Sequence, residues 1–233
     1  MKIVRYFLLA LIVILIDQAS KILVYNNMYL HEEIYVLGDW FRIHYLLNPG
    51  MAFGIRWENE FGKLALTVFR IAAVFGIAYY LWKMTVRGAH NGFLWCMGLI
   101  LGGAVGNVID STFYGVFLNN APVNAPTPWF HGQVIDMLYF PMFDFVWPHW
   151  VPLIGGRYFE FFSPVFNIAD SSIFIGLVII LVMQKKFFKE GVLAPVKPVM
   201  TKTTGMDQPS NESTVTVNRI AENSGDSSTQ QNF

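Results

Sequence analysis

The sequence predicts an all-α integral membrane protein of four transmembrane helices, with a small external β element and a long external loop. Three observations predict it. First, only 14% of the 233 residues are charged and 54% are hydrophobic, with a mean hydropathy of +0.43. A soluble domain carries about 25% charged residues, so this chain lacks the charge for a water-exposed surface. Second, four apolar stretches are long enough to cross a hydrocarbon core of ~30 Å, which takes about 20 helical residues. Third, Lys and Arg are distributed unevenly over the connecting segments, as the positive-inside rule requires of a multi-span chain.

The four stretches run from Tyr6 to Tyr25, Phe61 to Trp82, Gly92 to Asp110 and Pro164 to Met183. Lys2 and Arg5 precede the first, Lys83, Arg87 and His90 separate the second from the third, and Lys185, Lys186 and Lys189 follow the fourth. A basic start followed by an apolar run also suits a cleavable signal peptide. Here Asp17, Gln18 and Lys21 follow the run where small residues would mark a cleavage site, so the helix is expected to be retained. The segment from Ser111 to Ser163 holds Arg157 as its only Lys or Arg. Both termini are therefore expected in the cytoplasm, with both long loops outside.

In the first loop, about residues 30–58, Ile34, Tyr35, Val36, Trp40, Phe41, Ile43 and Tyr45 are strand formers around a Gly38-Asp39 turn. This is the expected β element. The second loop, about 111–163, mixes aromatics with six prolines and reads as irregular chain at the membrane interface. Residues 191–233 are rich in Ser, Thr, Asn and Gln and are expected to form a disordered cytoplasmic tail behind a 1–190 membrane domain. Zero net charge offers no argument for a nucleic-acid partner, and none is expected. The single cysteine, Cys96, rules out an internal disulfide and any multi-cysteine metal site, and its apolar setting reads as packing.

Function is carried by polar residues within the spans, where an ionisable group costs ~2.5–3.5 kcal/mol on insertion scales. They are Asp17 and Lys21 in span one, Arg70 in span two, Asn107 and Asp110 in span three, and Asn167 and Asp170 in span four. At ~1.5 Å per residue, Asp17 falls roughly 12 Å below the outer face, Asn107 and Asp110 within roughly 5 Å of it, and Asn167 and Asp170 roughly 5 and 9 Å below it. Three helices thus contribute to one outer-leaflet layer. Asp17/Lys21, Asn107/Asp110 and Asn167/Asp170 stand three or four residues apart and share helix faces. Gly98, Gly102 and Gly106 form a small-residue ridge that lets another helix approach span three. Interhelical hydrogen bonding is the plain alternative for the amides, and mutual neutralisation is the plain alternative for Asp17 with Lys21.

Ser20 and Lys21 point about 100° apart on a helix, which disfavours a Ser-Lys dyad. The five histidines, His31, His44, His90, His131 and His149, lack the spacing of a zinc peptidase. Two carboxylates remain: set ~3 Å apart they share one proton, so one serves as base toward a water and the other as acid. Span four offers Asp170 and the outer loop offers Asp136; the sequence leaves open which carboxylates meet.

Five blocks in chain order resemble lipoprotein signal peptidase, the type II signal peptidase of bacterial membranes. They are Asp17-Gln18-Ala19-Ser20-Lys21, Asn48-Pro49-Gly50-Met51-Ala52-Phe53-Gly54, the stretch from Gly102 to Asp110, Val134-Ile135-Asp136, and Phe166-Asn167-Ile168-Ala169-Asp170-Ser171. The resemblance covers about Met1 to Lys189. It implies an aspartic endopeptidase of the bacterial cytoplasmic (inner) membrane, with its site toward the outer face and no cofactor or metal. The implied substrates are diacylglyceryl-modified prolipoproteins, cut just before the lipidated cysteine, and the enzyme is expected to be a monomer among membrane lipids. Asp136 and Asp170 are implied as the catalytic pair. Asp17, Lys21, Asn48, Gly50, Asn107, Asp110 and Asn167 are implied to shape the site or bind substrate. After Asp110 the family usually carries an arginine that contacts the lipid-bearing part of the substrate; here it is Ser111, with Arg42 or Arg157 as candidate substitutes. A catalytically degenerate relative, or a binding or assembly protein using the same polar layer, is the alternative. A transporter is disfavoured by the nearly apolar inner halves of spans one, three and four.

Overall fold

The structure, a computed structural model, describes residues 3–50, 60–141, 143–152, 155–161 and 164–188. The tail expected over 191–233 and the Met51–Gly54 part of the loop motif lie outside the described residues. Three long apolar helices are present: α1 (Val4–Asn27), α2 (Glu60–Val86) and α3 (Asn91–Ile109). His90 caps α3 by accepting a hydrogen bond from the Gly92 amide at 3.0 Å. The helix continues past Ile109 through a π-turn (Asp110–Tyr114) and a last α-turn (Gly115–Phe117). The third apolar helix is therefore longer than its sequence pattern suggests, reaching Phe117 where the sequence reading ended it at Asp110.

The fourth stretch differs more. Helix α4 covers Ile168–Val182, followed by a short α5 (Gln184–Phe188), whereas Val165–Phe166 forms a strand. Asn167 is the reason. Its backbone is extended and its side chain accepts from the Asp170 amide at 2.8 Å, so the helix cannot begin before it. An apolar run alone did not reveal that start.

The β structure exceeds the expected element, correcting both the all-α assignment and the irregular reading of 111–163. Strands β1 (Glu33–Leu37), β2 (Phe41–Asn48), β3 (Val134–Tyr139) and β6 (Val165–Phe166) form one antiparallel sheet in the order β1-β2-β3-β6. The turn between β1 and β2 includes Gly38 at φ 54°, as the Gly-Asp pair predicted. Strands β4 (Phe143–Val146) and β5 (Tyr158–Phe161) pair as a separate hairpin. Strand β3 is buried over its first four residues and reads as an apolar run without alternation, which is why sequence alone did not mark it as a strand. Ile135 and Met137 pack with Val24, Tyr45 and Tyr114, which seats the sheet on the ends of α1 and α3.

Helix α3 is the centre of the bundle and packs against α1, α2 and α4. A β-carbon at Gly102 would stand 2.8 Å from the Ala10 carbonyl oxygen of α1, and one at Gly106 would stand 2.6 Å from Asp17 Oδ2. Gly103 faces the other way, and there a β-carbon would strike the Ala169 backbone of α4. Small residues thus bring three helices close enough for short polar side chains to meet. At the other end, Tyr6, Leu81, Met84, Phe93, Met97 and Phe187 form the apolar core, with Cys96 buried among them as a free thiol. Leu8, Leu11, Leu15, Phe69, Phe75 and Phe174 are exposed on the helices, as lipid-facing positions should be.

Candidate active site

Strand β2 ends at Asn48, whose partner in register is Val134, while Leu46 stands opposite Asp136. Asn48 is therefore the diagonal neighbour of Asp136 on one face of the sheet, and its Nδ2 donates to Asp136 Oδ2 at 3.0 Å. The Gly50 amide donates to Asn48 Oδ1 at 2.8 Å and so fixes which way the side-chain amide points. Gly50 sits at φ 100°, a conformation in which a side chain is strained. Strand β6 pairs with β3 and hands the chain to Asn167, whose Nδ2 donates to Asp136 Oδ1 at 2.7 Å. Both carboxylate oxygens of Asp136 are thus held by amides from two different strand ends.

Asp170 lies in the first turn of α4 and accepts from Asn107 Nδ2 at 2.7 Å. Asn107 and Asn167 are themselves in contact, with 3.4 Å between Asn167 Nδ2 and Asn107 Oδ1. A continuous chain of amides therefore runs from Asp136 through Asn167 and Asn107 to Asp170. Asp136 is 3% exposed, whereas Asp170 is half-buried, so Asp170 is the more accessible of the two. Burial, with the Asp170 charge close by, pushes the Asp136 carboxyl up to about 7, against the pull of the Asn48 and Asn167 hydrogen bonds.

Beneath the pair lies a buried ionic cluster. Lys21 Nζ is 2.7 Å from Asp17 Oδ2, 2.7 Å from Asp110 Oδ2 and 3.2 Å from Asn107 Oδ1. Lys21 thus hydrogen-bonds to Asp17 and Asn107 and forms an ion pair with Asp110, and none of Asp17, Lys21 or Asp110 has any exposed surface. The Asp17–Lys21 pairing expected from their i,i+4 spacing is present, but it is one half of a triad that also joins α1 to α3. Asp17 Oδ1 in addition accepts from the Ala169 amide at 2.8 Å, an unsatisfied donor of the first turn of α4. Ser20 turns away and donates to the Asp17 carbonyl at 2.7 Å. All nine residues singled out in the sequence thus fall in one connected region. Among the described residues, no group of three or more His, Cys, Asp or Glu is arranged to hold a metal ion.

Some participants escaped the sequence reading. Gln18 donates to Asp110 Oδ1 at 2.8 Å and accepts from the Tyr114 hydroxyl at 2.9 Å. The signal was a polar amide inside an apolar span, next to Asp17. Arg70 of α2 donates to Ser111 Oγ at 2.8 Å, and Ser111 donates in turn to the Asn107 carbonyl at 2.9 Å. The guanidinium beside Ser111 is therefore that of Arg70. Arg42, one of the two suggested substitutes, pairs instead with Glu33 at 3.1 Å on the β1–β2 hairpin, and Arg157 is exposed next to β5.

Fold and site together define a mostly helical, multi-span membrane protein whose carboxylates and amides converge under a four-stranded sheet. Residues 9–186 match the family described as signal peptidase (SPase) II. A lipoprotein signal peptidase of Amoebophilus asiaticus is 43% identical over 194 residues, covering 82% of each chain. One from Porphyromonas gingivalis is 45% identical over 185 residues, covering 74% of this chain and 80% of its own. Two solved structures of bacterial membrane enzymes share the fold. One has a TM-score of 0.53 at 23% identity over 78% of this chain and 93% of that one; the other has 0.51 at 21% identity over 83% and 94%. The chain belongs to the signal peptidase II family, a family of aspartic peptidases.

Proposed function

We propose that this protein removes the signal peptide from diacylglyceryl-modified prolipoproteins by cutting before the lipidated cysteine, with Asp136 and Asp170 as the catalytic pair. The observation that carries the reading is the amide chain from Asp136 through Asn167 and Asn107 to Asp170. It holds two carboxylates close enough for one charge to act on the other, which supports the reading that they share a proton.

In the proposed mechanism the pair carries one proton at neutral pH. The positive end of α4 and the Asn107 amide both face Asp170, which suits it to carry the charge and draw a proton from the attacking water. Asp136, buried and pushed up to about 7, holds the proton and gives it to the substrate carbonyl oxygen. The water oxygen bonds to the carbonyl carbon, the C–N bond then breaks, and the leaving amine takes a proton from the pair. Asn48 and Asn167 position Asp136, and Asn107 positions Asp170. Gly50 aligns Asn48, while Lys21, Asp17 and Asp110 brace the helices that carry the site.

The same reading places α1–α4 across the cytoplasmic membrane with both termini inside and the sheet, with the carboxylate pair, toward the outer face, as the Lys and Arg distribution supports. Residues 1–190 then form the peptidase and 191–233 a polar cytoplasmic extension. The working unit in this reading is a monomer. The test is cleavage of a diacylglyceryl-modified prolipoprotein by the purified chain in detergent micelles, beside the same precursor without the lipid. The lipidated precursor should be cut immediately before its cysteine and the unmodified one spared. Failure to cut either, by folded protein, favours a degenerate relative.

A further inference from the structure

Lys63 and Arg70 stand two turns apart on α2, on one face with Thr67 between them. Lys63 is 8% exposed, and its Nζ has no hydrogen-bond partner among the described residues. Arg70 has Nη1 on Ser111 Oγ at 2.8 Å, and a guanidinium has five N–H donors to place. Among the described residues no carboxylate comes within ion-pair distance of either. The acids that Arg70 senses through space, Asp170, Asp110 and Asp136, are bonded to Asn107, Lys21, Asn48 and Asn167 instead. Lys21 shows what the fold does with a buried cation when it supplies the counter-charge itself. At Lys63 and Arg70 it supplies none among the described residues.

The two heads also converge. A β-carbon on Gly50 would stand 3.6 Å from Lys63 Nζ and 3.9 Å from Arg70 Nη2, and 2.6 Å from Leu66 Cδ2, so both heads approach Gly50 beside the Leu66 side chain that lies between them on the helix. A buried ammonium and a half-buried guanidinium this close to one another repel, and an anion held by both relieves that repulsion. We propose that Lys63 and Arg70 form a binding site for a phosphate group, supplied by the headgroup of a membrane phospholipid. A phosphate offers several oxygens at once, so it can meet the Lys63 ammonium as a point charge and the Arg70 guanidinium through directed N–H bonds. Lys63 lies in the first turn of α2, at the end of an apolar helix long enough to span, and that is the depth at which lipid phosphates stand. Arg70 also touches Ser111, which bonds to Asn107, so a bound headgroup would sit one hydrogen-bonded residue from the carboxylate network.

The test is thermal unfolding of the full chain, purified in detergent and stripped of lipid, titrated separately with short-chain phosphatidylglycerol, phosphatidylcholine, diacylglycerol and inorganic phosphate. The parent is compared with Lys63→Met and Lys63→Arg. The parent should be stabilised saturably by both phospholipids but not by diacylglycerol. Lys63→Met should bind roughly ten- to hundredfold more weakly, as loss of a charged hydrogen bond predicts, while Lys63→Arg retains binding. A Lys63-dependent rise with inorganic phosphate alone identifies free phosphate as a sufficient ligand; a rise only with the lipids identifies the headgroup. Without ligand, Lys63→Met should melt at or above the parent, because it removes an unpaired buried charge. Equal stabilisation of parent and Lys63→Met, stabilisation by diacylglycerol matching that by phospholipid, or marked destabilisation of unliganded Lys63→Met overturns the proposal. The readout is binding, so its failure is distinct from a failure to cleave.

Discussion

Replacing Lys21 with methionine keeps most of the stem's volume but removes the ammonium that lies 2.7 Å from both Asp17 and Asp110. All three groups are fully buried, so water cannot take over the lost bonds without opening the α1–α3 interface. Breaking a buried ion pair by deleting one partner costs about 3–5 kcal/mol, mostly because the remaining charge is left uncompensated. Two carboxylates are stranded here, which places the expected loss at the upper end of that range. For a chain of this size each 1 kcal/mol moves Tm by about 2–4 °C, so a loss of about 5 kcal/mol should make Lys21→Met melt roughly 10–20 °C below the parent. Tryptophan fluorescence in one detergent, with parent and variant measured side by side, reads the shift. The double variant Lys21→Met/Asp110→Asn should recover part of the loss, since one stranded charge is then gone while Gln18 can still reach position 110. A Lys21→Met protein melting within about 2 °C of the parent would falsify the view that this triad braces the helices under the site.

Other expectations follow from individual contacts. Asp136 rises from 3.8 to about 7 on folding, so cleavage should decline as pH increases through about 7 and the pair loses its shared proton. Asn48→Ala removes a hydrogen bond that favours the charged form and should move that alkaline limb to higher pH; an unmoved or lowered limb contradicts the assignment. The same shift makes Asp136 a destabilising group above its unfolded value. Its contribution is most favourable below about pH 4 and falls by up to about 4 kcal/mol by pH 7, testable by comparing the pH dependence of unfolding in parent and Asp136→Asn. Asn167→Ser keeps a helix cap but loses the bond to Asp136, so it should melt near the parent and cleave poorly, whereas Asn167→Ala should lose about 0.5–2 kcal/mol as well. Gly103→Ala drives a methyl group into the Ala169 backbone and should cost about 1–3 kcal/mol, while Gly76→Ala, with nothing within 4 Å, should be neutral or slightly stabilising.

The polar layer was legible because hydrocarbon makes every intramembrane carboxylate and amide conspicuous. Asp17, Lys21, Asn107, Asp110, Asn167 and Asp170 could be assigned to one depth by counting residues along three helices, and the hydrogen bonds join them there. The β1–β2 hairpin was legible for a local reason too: strand formers flank a Gly-Asp turn. What escaped depends on pairing between distant segments. Nothing local in Val134–Tyr139 says that it inserts beside Phe41–Asn48, 88 positions away at the Asn48–Asp136 bond, and its double-sided burial erases the alternation that marks a strand. The start of α4 was missed because Pro164–Phe166 is as apolar as the helix it precedes; only the bonding of Asn167 distinguishes them. The partner of Arg70 was likewise set by which face of α2 meets α3, and no spacing within either helix records that.

The central claim is that Asp136 and Asp170 act together on the scissile peptide bond. Asp136→Asn and Asp170→Asn should be made separately, and each purified protein given a diacylglyceryl-modified prolipoprotein in micelles, with signal-peptide release followed on a gel and Tm recorded for the same preparations. Each variant is predicted to retain a cooperative melt and to release no signal peptide over a period in which the parent cuts the substrate completely. Substantial cleavage by either folded variant would contradict the account and place the chemistry on other residues.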